Sequence, residues 1–500
     1  MCFKYLLFLT FSCLVLDYSS ADTDKVVCYY GSWAHYRIGN GKFTVNDIDT
    51  SLCTHLIYSF AGVNTDGSIK ILDTWLEISL GNLPNAVALK KSNPKLKVLL
   101  AIGGWNEGSV KFSTVASSSA LRAAFVQSAL SITSTYGLDG IDMDWEYPAQ
   151  RGGASSDKAN FPLLLQELRT AFDKKGLILT AAVAAAAASV DLSYDVPALS
   201  KYLDLINIMA YDLHGSYDGV TGQNAPLYAS SIDVSAAQKQ LNVKAVVEGW
   251  IARGAAPAKI ALGMGVYGRT YTLASASNNK LGAPVVNAGT QGPYTQEMGM
   301  LGYNEICEKQ AAGGWTTVWD DEQKVPYTYS GNQWVGYDNP KSIGIKVNYA
   351  KQMGLGGVMI WSIETDDFRG ICGSKYPILN AIKSALGGTS NENIDNNDSD
   401  NSNSNSDSGS DSNSDSGSDS NSDSGSDSNS DSGSDSSSND SSNSDECTKV
   451  GYIRDSKACD VFYWCAQSGS GWVKYKNTCP SGLVFNINVN NCDWPANVNC

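Results

Sequence analysis

The sequence predicts a (β/α)8 barrel with a small α+β insertion, then a disordered tether and a small disulfide-rich domain. Three observations carry that prediction. Eight short runs rich in Val, Ile and Leu alternate with helix-patterned segments over roughly 360 residues, as parallel strands and their crossovers do. Aromatic residues close seven of the eight runs, around one stretch that holds four carboxylates. After Gly388 the composition collapses to Ser, Asp, Asn and Gly, and six of the twelve cysteines crowd the stretch from Cys447 to Cys500.

In chain order, residues 1–21 carry one Lys, an apolar run from Tyr5 to Leu16 and then Ser19, Ser20 and Ala21. That is the pattern of a secretory signal peptide, too short to span a membrane as a helix. No later stretch is long and apolar enough for a bilayer, so the expectation is a secreted, extracellular protein with no membrane partner. The cysteine count suits that oxidising compartment.

The candidate strands are Val26–Tyr30, His55–Ala61, Lys97–Ile102, Gly140–Trp145, Leu177–Val183, Leu203–Met209, Ile260–Met264 and Gly357–Ile363. Their near-continuous apolar character fits strands covered on both faces. Ala120–Tyr136, Phe161–Lys174 and Ser235–Arg253 carry helical spacing between them. An insertion rich in Gly, Tyr, Thr and Trp is expected at about 271–336, with hairpin-like clusters at Ala312-Gly313-Gly314 and Ser330-Gly331-Asn332. The folded segment is 22–388, the linker 389–446 and the last domain 447–500.

The net charge of −15 is a property of the linker. Its 15 acidic residues, taken from the total of 51, leave 36, which equals the 36 Lys and Arg. The folded parts are near neutral, so no basic nucleic-acid surface is implied. The linker repeats an eight-residue unit marked by Gly409, Gly417, Gly425 and Gly433. It cannot bury apolar surface and its charges repel, so an extended spacer is expected, with sequons at Asn397 and Asn439.

The functional stretch is Leu138–Pro148. Asp142, Asp144 and Glu146 alternate with Ile141, Met143 and Trp145, which puts the three acids on one face of a strand. Adjacent carboxylates on a buried strand resist desolvation and repel, an arrangement kept mainly where acids exchange protons. Alternate residues of one strand do not wrap a cation, so no metal is expected. Only three His exist, none in a His-Glu-x-x-His pattern, and neither a Gly-x-Ser-x-Gly elbow nor a dinucleotide fingerprint appears. Paired carboxylates without a cofactor fit glycosidic cleavage. Aromatic faces around them fit the apolar faces of sugar rings.

Asp139-Gly140-Ile141-Asp142-Met143-Asp144-Trp145-Glu146 resembles the Asp-x-x-Asp-x-Asp-x-Glu signature of the family 18 glycoside hydrolases, the chitinases. Gly103-Gly104-Trp105-Asn106, Met209-Ala210-Tyr211-Asp212 and the segment from Gly357 to Phe368 are similar to that family's other motifs. The resemblance implies a retaining endochitinase that uses the substrate's own acetamido group. It gives Glu146 the role of acid, makes Asp144 the stabiliser of the oxazolinium, and has Asp142 share a proton with Asp144. Tyr211 would bond the acetamido group. Tyr29, Trp33, Phe60, Trp105, Tyr147, Met209, Asp212, Tyr267, Arg269 and Trp361 would bind substrate, with Trp361 as the floor and Asp139 structural. Ala210 and Tyr217 depart from the family's usual Thr and Trp. The same resemblance implies disulfides Cys28–Cys53 and Cys307–Cys372.

The last domain is too small to be held by its core alone, and six cysteines would staple it. Its spacing, with 11, 5, 13, 12 and 7 residues between successive cysteines, is similar to the peritrophin-A type of chitin-binding domain. The resemblance implies Cys447–Cys465, Cys459–Cys500 and Cys479–Cys492; spacing alone leaves fifteen connectivities open. Tyr463, Trp464, Trp472 and Trp494 are candidates for sugar stacking. The expected partners are chitin and chito-oligosaccharides, bound by a monomer. The rival is a non-catalytic chitin lectin on the same fold. The presence of Glu146 separates the two, because lectin-like relatives usually lose that acid.

Overall fold

The computed structural model describes residues 23–387 and, towards the C-terminus, 446–447, 451–468, 471–479, 484–487, 491–493, 495 and 498. The expected signal segment and nearly all of the linker lie outside these residues. The chain divides into two units, the second holding everything described from residue 446 on.

In the first unit eight parallel strands close into a barrel. They are Lys25–Gly31, His55–Val63, Lys97–Gly103, Gly140–Asp144, Ile178–Val183, Leu205–Ile208, Ile260–Gly265 and Gly357–Trp361. The first pairs with both the second and the eighth, so no edge is left open at the seam. Val, Ile and Leu side chains of these strands are almost wholly buried, as expected of a sheet covered by helices.

All eight expected strands are present, with shifted ends. The fourth stops at Asp144, leaving Trp145 and Glu146 on the segment that leaves the barrel. The eighth stops at Trp361, whose carbonyl accepts from Val266 N at 2.8 Å. The helix expected over 235–253 is shorter. Asn242 accepts from Ala245 N at 2.9 Å and starts it at Val243, leaving only a single turn, Gln238–Gln240, before it. An Asn side chain that satisfies a free helix N–H sets the boundary more firmly than the apolar period does.

The insertion begins earlier than its composition suggests. The seventh barrel strand ends at Gly265, and Tyr267–Leu273 is already an inner strand of a separate antiparallel sheet. That sheet also holds Val285–Ala288, Met300–Gly302, Thr316–Asp320, Val325–Ser330 and Gln333–Gly336, with the helix Tyr303–Ala311 beside it. Ser330-Gly331-Asn332 spans a hairpin turn, as expected. Ala312-Gly313-Gly314 instead ends the helix, with both glycines at positive φ. Cys28–Cys53 ties the first strand to the loop before the second, and Cys307–Cys372 ties the insertion's helix to the segment after the eighth strand. Among the described residues no helix is long and apolar enough to cross a membrane.

The second unit has a three-stranded antiparallel sheet, Gly451–Arg454, Val461–Ser468 and Gly471–Thr478, and a two-stranded one, Val484–Asn486 with Asn491–Asp493. Phe462 stacks on Phe485 with ring centres 4.0 Å apart, and Tyr452 leans on both. Cys447 bonds Cys465. Cys459 and Cys479 are also disulfide-bonded. The partners expected for them, Cys500 and Cys492, have side chains outside the described set.

Candidate active site

The acid row sits where the fourth strand leaves the barrel. Opposite the acids, Ile141, Met143 and Trp145 are fully buried. Trp145 stacks on Phe112 of the helix Val110–Ser117, meets Phe161 edge-on and donates to Ser109 Oγ at 3.0 Å. With that face locked, Asp142, Asp144 and Glu146 occupy the other. The third strand's end crowds them: Gly104 N donates to Asp144 O at 2.8 Å, and a side chain on Gly103, at φ 121, would strike that same carbonyl.

Asp142 is fully buried and accepts from Tyr29 OH at 2.7 Å, Thr180 Oγ1 at 2.5 Å and Asn207 Nδ2 at 3.1 Å. Burial raises its pKa to about 6, against the pull of those three donors. Asp144 is buried with Oδ1 lacking a hydrogen-bond partner. Burial first, then the charges of Glu146 and Asp142, hold its carboxyl well above the usual carboxylate range. Glu146 is raised to about 7 by burial, opposed by the Tyr147 hydroxyl and the Arg151 charge. The row therefore holds protons near neutrality that ordinary carboxylic acids would have shed.

Trp33, Phe60 and Trp361 form one aromatic wall, with ring centres 5.7 to 6.0 Å apart. A cavity of about 300 Å³ opens beside it, lined also by Arg37, Glu297, Met300 and Glu364. Trp105, at 58 % exposed, stands at the rim. Asp212 accepts from Tyr267 OH and Arg269 Nε, both at 2.6 Å, and so joins the insertion's first strand to the barrel mouth. Tyr211 packs edge-on to Tyr267, and its hydroxyl has Met359 Sδ at 4.0 Å. Met209 and Tyr147 are half-buried.

Some expected site residues lie elsewhere. Tyr29 does not line open space: it is buried beneath the acids, spends its hydroxyl on Asp142 and also accepts from Asn207. Its place is that of a support, not of a sugar contact. Tyr267 and Arg269 belong to the insertion, not to the end of the seventh barrel strand. Tyr30 and Tyr58, on the first and second strands, pack into the core. Asp139 pairs with Lys90 at 2.9 Å and accepts from Val98 N, a bracing role at the strand's start. Tyr217 is 71 % exposed and donates to the Asp212 carbonyl at 2.9 Å.

Thr180, Asn207 and Arg151 were not legible as site residues. A signal did exist for two of them, because each is the one polar side chain in an otherwise apolar strand, and Thr180 lies directly abreast of Asp142. In the second unit, Tyr463 donates to Asp455 Oδ2 at 2.6 Å and lies under the Lys474 ammonium at 3.8 Å, whereas Trp472 is 41 % exposed. The side chains of Trp464 and Trp494 lie outside the described set.

Residues 25–366 match the model of the glycosyl hydrolases family 18, and residues 447–500 match the chitin binding peritrophin-A domain. An endochitinase of Manduca sexta is 42 % identical over 366 residues, covering 71 % of this chain and 66 % of that protein. The structure of Ostrinia furnacalis Group IV chitinase in complex with allosamidin has 46 % identity and a TM-score of 0.71 over 73 % of this chain and 99 % of that one. Human YKL-39, described as a pseudo-chitinase with retained chitooligosaccharide binding, has 39 % identity and a TM-score of 0.68, covering 73 % of this chain and all of that one.

Proposed function

Because the chain belongs to the family 18 glycosyl hydrolases, we propose that it is a secreted, monomeric endochitinase that cleaves β-1,4-N-acetylglucosamine linkages with retention and is held on chitin by its peritrophin-A domain. The observation that carries this reading is Glu146, a buried carboxyl raised to about 7 at the end of an acid row whose Asp142 is bonded by Tyr29, the ring that meets Trp361 of the aromatic wall edge-on. A general acid has to hold its proton at the working pH, and a raised pKa favours that up to near 7. The disulfides support an extracellular site of action.

In the reaction, Glu146 passes its proton to the glycosidic oxygen as the bond to the anomeric carbon breaks. The substrate's acetamido carbonyl oxygen forms a bond to that carbon from the other side, giving an oxazolinium ion. Asp144 lies beside the acid and stabilises the positive charge. Asp142, fixed by Tyr29, Thr180 and Asn207, is the neighbouring carboxylate that accepts the proton Asp144 gives up. Water then attacks the anomeric carbon and returns a proton to Glu146, so the configuration is kept. Time-resolved NMR of products from an N-acetylglucosamine hexamer tests the scheme. Internal cleavage with the β-anomer formed first is expected; the α-anomer first would overturn retention, and release of single sugars only would overturn internal cleavage.

The chitin-binding domain gives a separable expectation. A chain ending before residue 388 should turn over short soluble oligomers at nearly the full rate and lose most of its activity on insoluble chitin. Tethering raises the local concentration of enzyme only at a surface. Parallel rate measurements on both substrates check this, and equal losses would show that the domain supports the barrel itself.

A further inference from the structure

We propose that Arg151 is a positioning residue that clamps the Trp105 ring at the rim of the cleft and ties it to the backbone of Glu146. Its guanidinium carbon lies 3.6 Å from the centre of the Trp105 ring. The same side chain donates through Nη1 to the Trp105 carbonyl at 2.7 Å and to the Glu146 carbonyl at 3.0 Å. One planar cation thus holds the indole by its face and by its own backbone. Even so, 58 % of Trp105 stays open to water, as a stacking platform must.

The loop is built to deliver this side chain. Ala149 and Arg151 sit at φ 62 and φ 49, left-handed conformations that residues with a Cβ rarely adopt. Surrounding contacts hold the loop in that shape. Ala149 N donates to Asp157 Oδ2 at 3.2 Å, Gln150 N to Tyr147 O at 3.0 Å, and Gln150 Nε2 to Ser193 Oγ at 2.9 Å. The outcome is a cation placed between the platform and the peptide that carries the acid. Its charge also opposes the rise in the Glu146 pKa, a second route by which the clamp reaches the chemistry.

The inference rests on the reading of Glu146 as acid and Trp105 as a sugar platform, and a double-mutant cycle separates the two. With the hexamer as substrate, Arg151→Gln should raise KM about 3–10-fold, the worth of a cation–π contact, with a smaller effect on kcat at pH 5. The limb on which activity falls with rising pH should move to higher pH. Arg151→Lys should leave that limb in place and keep part of the KM defect, because an ammonium has the charge but neither the planar face nor the fork. In a Trp105→Ala background, Arg151→Gln should add no further change in KM. The same rise with and without Trp105, or no rise at all, would overturn the clamp. If Arg151→Gln does not fold, Arg151→Lys carries the same comparison. If the wild-type chain does not cut the hexamer, the functional reading fails, and the cycle read by hexamer Kd still decides the clamp.

Discussion

Glu146→Gln is expected to lower kcat on N-acetylglucosamine oligomers by about 10²–10⁴-fold while leaving their binding largely in place. Gln keeps the size and most of the hydrogen bonding but has no proton to give the departing oxygen. Substrates with an acidic leaving group such as nitrophenol need less of that proton and should recover much of the loss. In the wild-type protein the same group sets the pH dependence. With its pKa near 7, activity should fall as pH rises through that value, because the acid form is being lost.

Stability supplies the control for that variant. The folded pKa of Glu146 lies above that of a free Glu, so the folded chain binds this proton more tightly than the unfolded one. The resulting stabilisation is present at low pH and is lost as pH rises through about 7. A neutral Gln escapes that loss, so the variant should gain in melting temperature relative to wild type between pH 5 and pH 8. A lower melting temperature throughout that range would point to misfolding instead of a missing proton.

The acid row was legible because alternation along a strand is a strong local signal, and three carboxylates on one face have few structural uses. Trp361, Trp33 and Phe60 were legible for a related reason: parallel barrel strands bring their ends to one mouth, so residues far apart in sequence meet there. What was not legible depends on neighbours across the sheet. Asp142 is held by Tyr29, Thr180 and Asn207, from three different strands, and one sequence shows the polar residues without showing that they face one another. Tyr29 has the composition of a sugar contact and the position of a support. The insertion's true start at Tyr267 was hidden because no Pro marks the turn at Val266, and Gly263, Gly265 and Gly268 are spread through the run without singling out one exit. Arg151 was hidden because its reach depends on two left-handed residues, neither of them glycine.

The support beneath Asp142 also assigns the resting proton, and with it the expected effect of Asp144→Asn. Three donors occupy the Asp142 oxygens, which favours its carboxylate, whereas Asp144 keeps an oxygen with no partner and is held well above the usual carboxylate range. We therefore expect the proton shared by the two to rest on Asp144 in the free protein. Once positive charge develops on the acetamido carbon, a buried Asp144 gains most by passing that proton to the Asp142 carboxylate and facing the charge as an anion. Asn cannot make the change, and its amide places a donor where an acceptor is wanted. We expect kcat to fall by about 10²–10³-fold, the usual cost of removing one preorganised electrostatic contact to a transition state. This loss should differ in kind from that of Glu146→Gln. A better leaving group eases bond breaking but does nothing to stabilise the oxazolinium, so nitrophenyl substrates should rescue Asp144→Asn far less. Side-by-side kcat values on oligomer and nitrophenyl substrates decide the assignment, and rescue of Asp144→Asn with Glu146→Gln left inert would exchange the two roles.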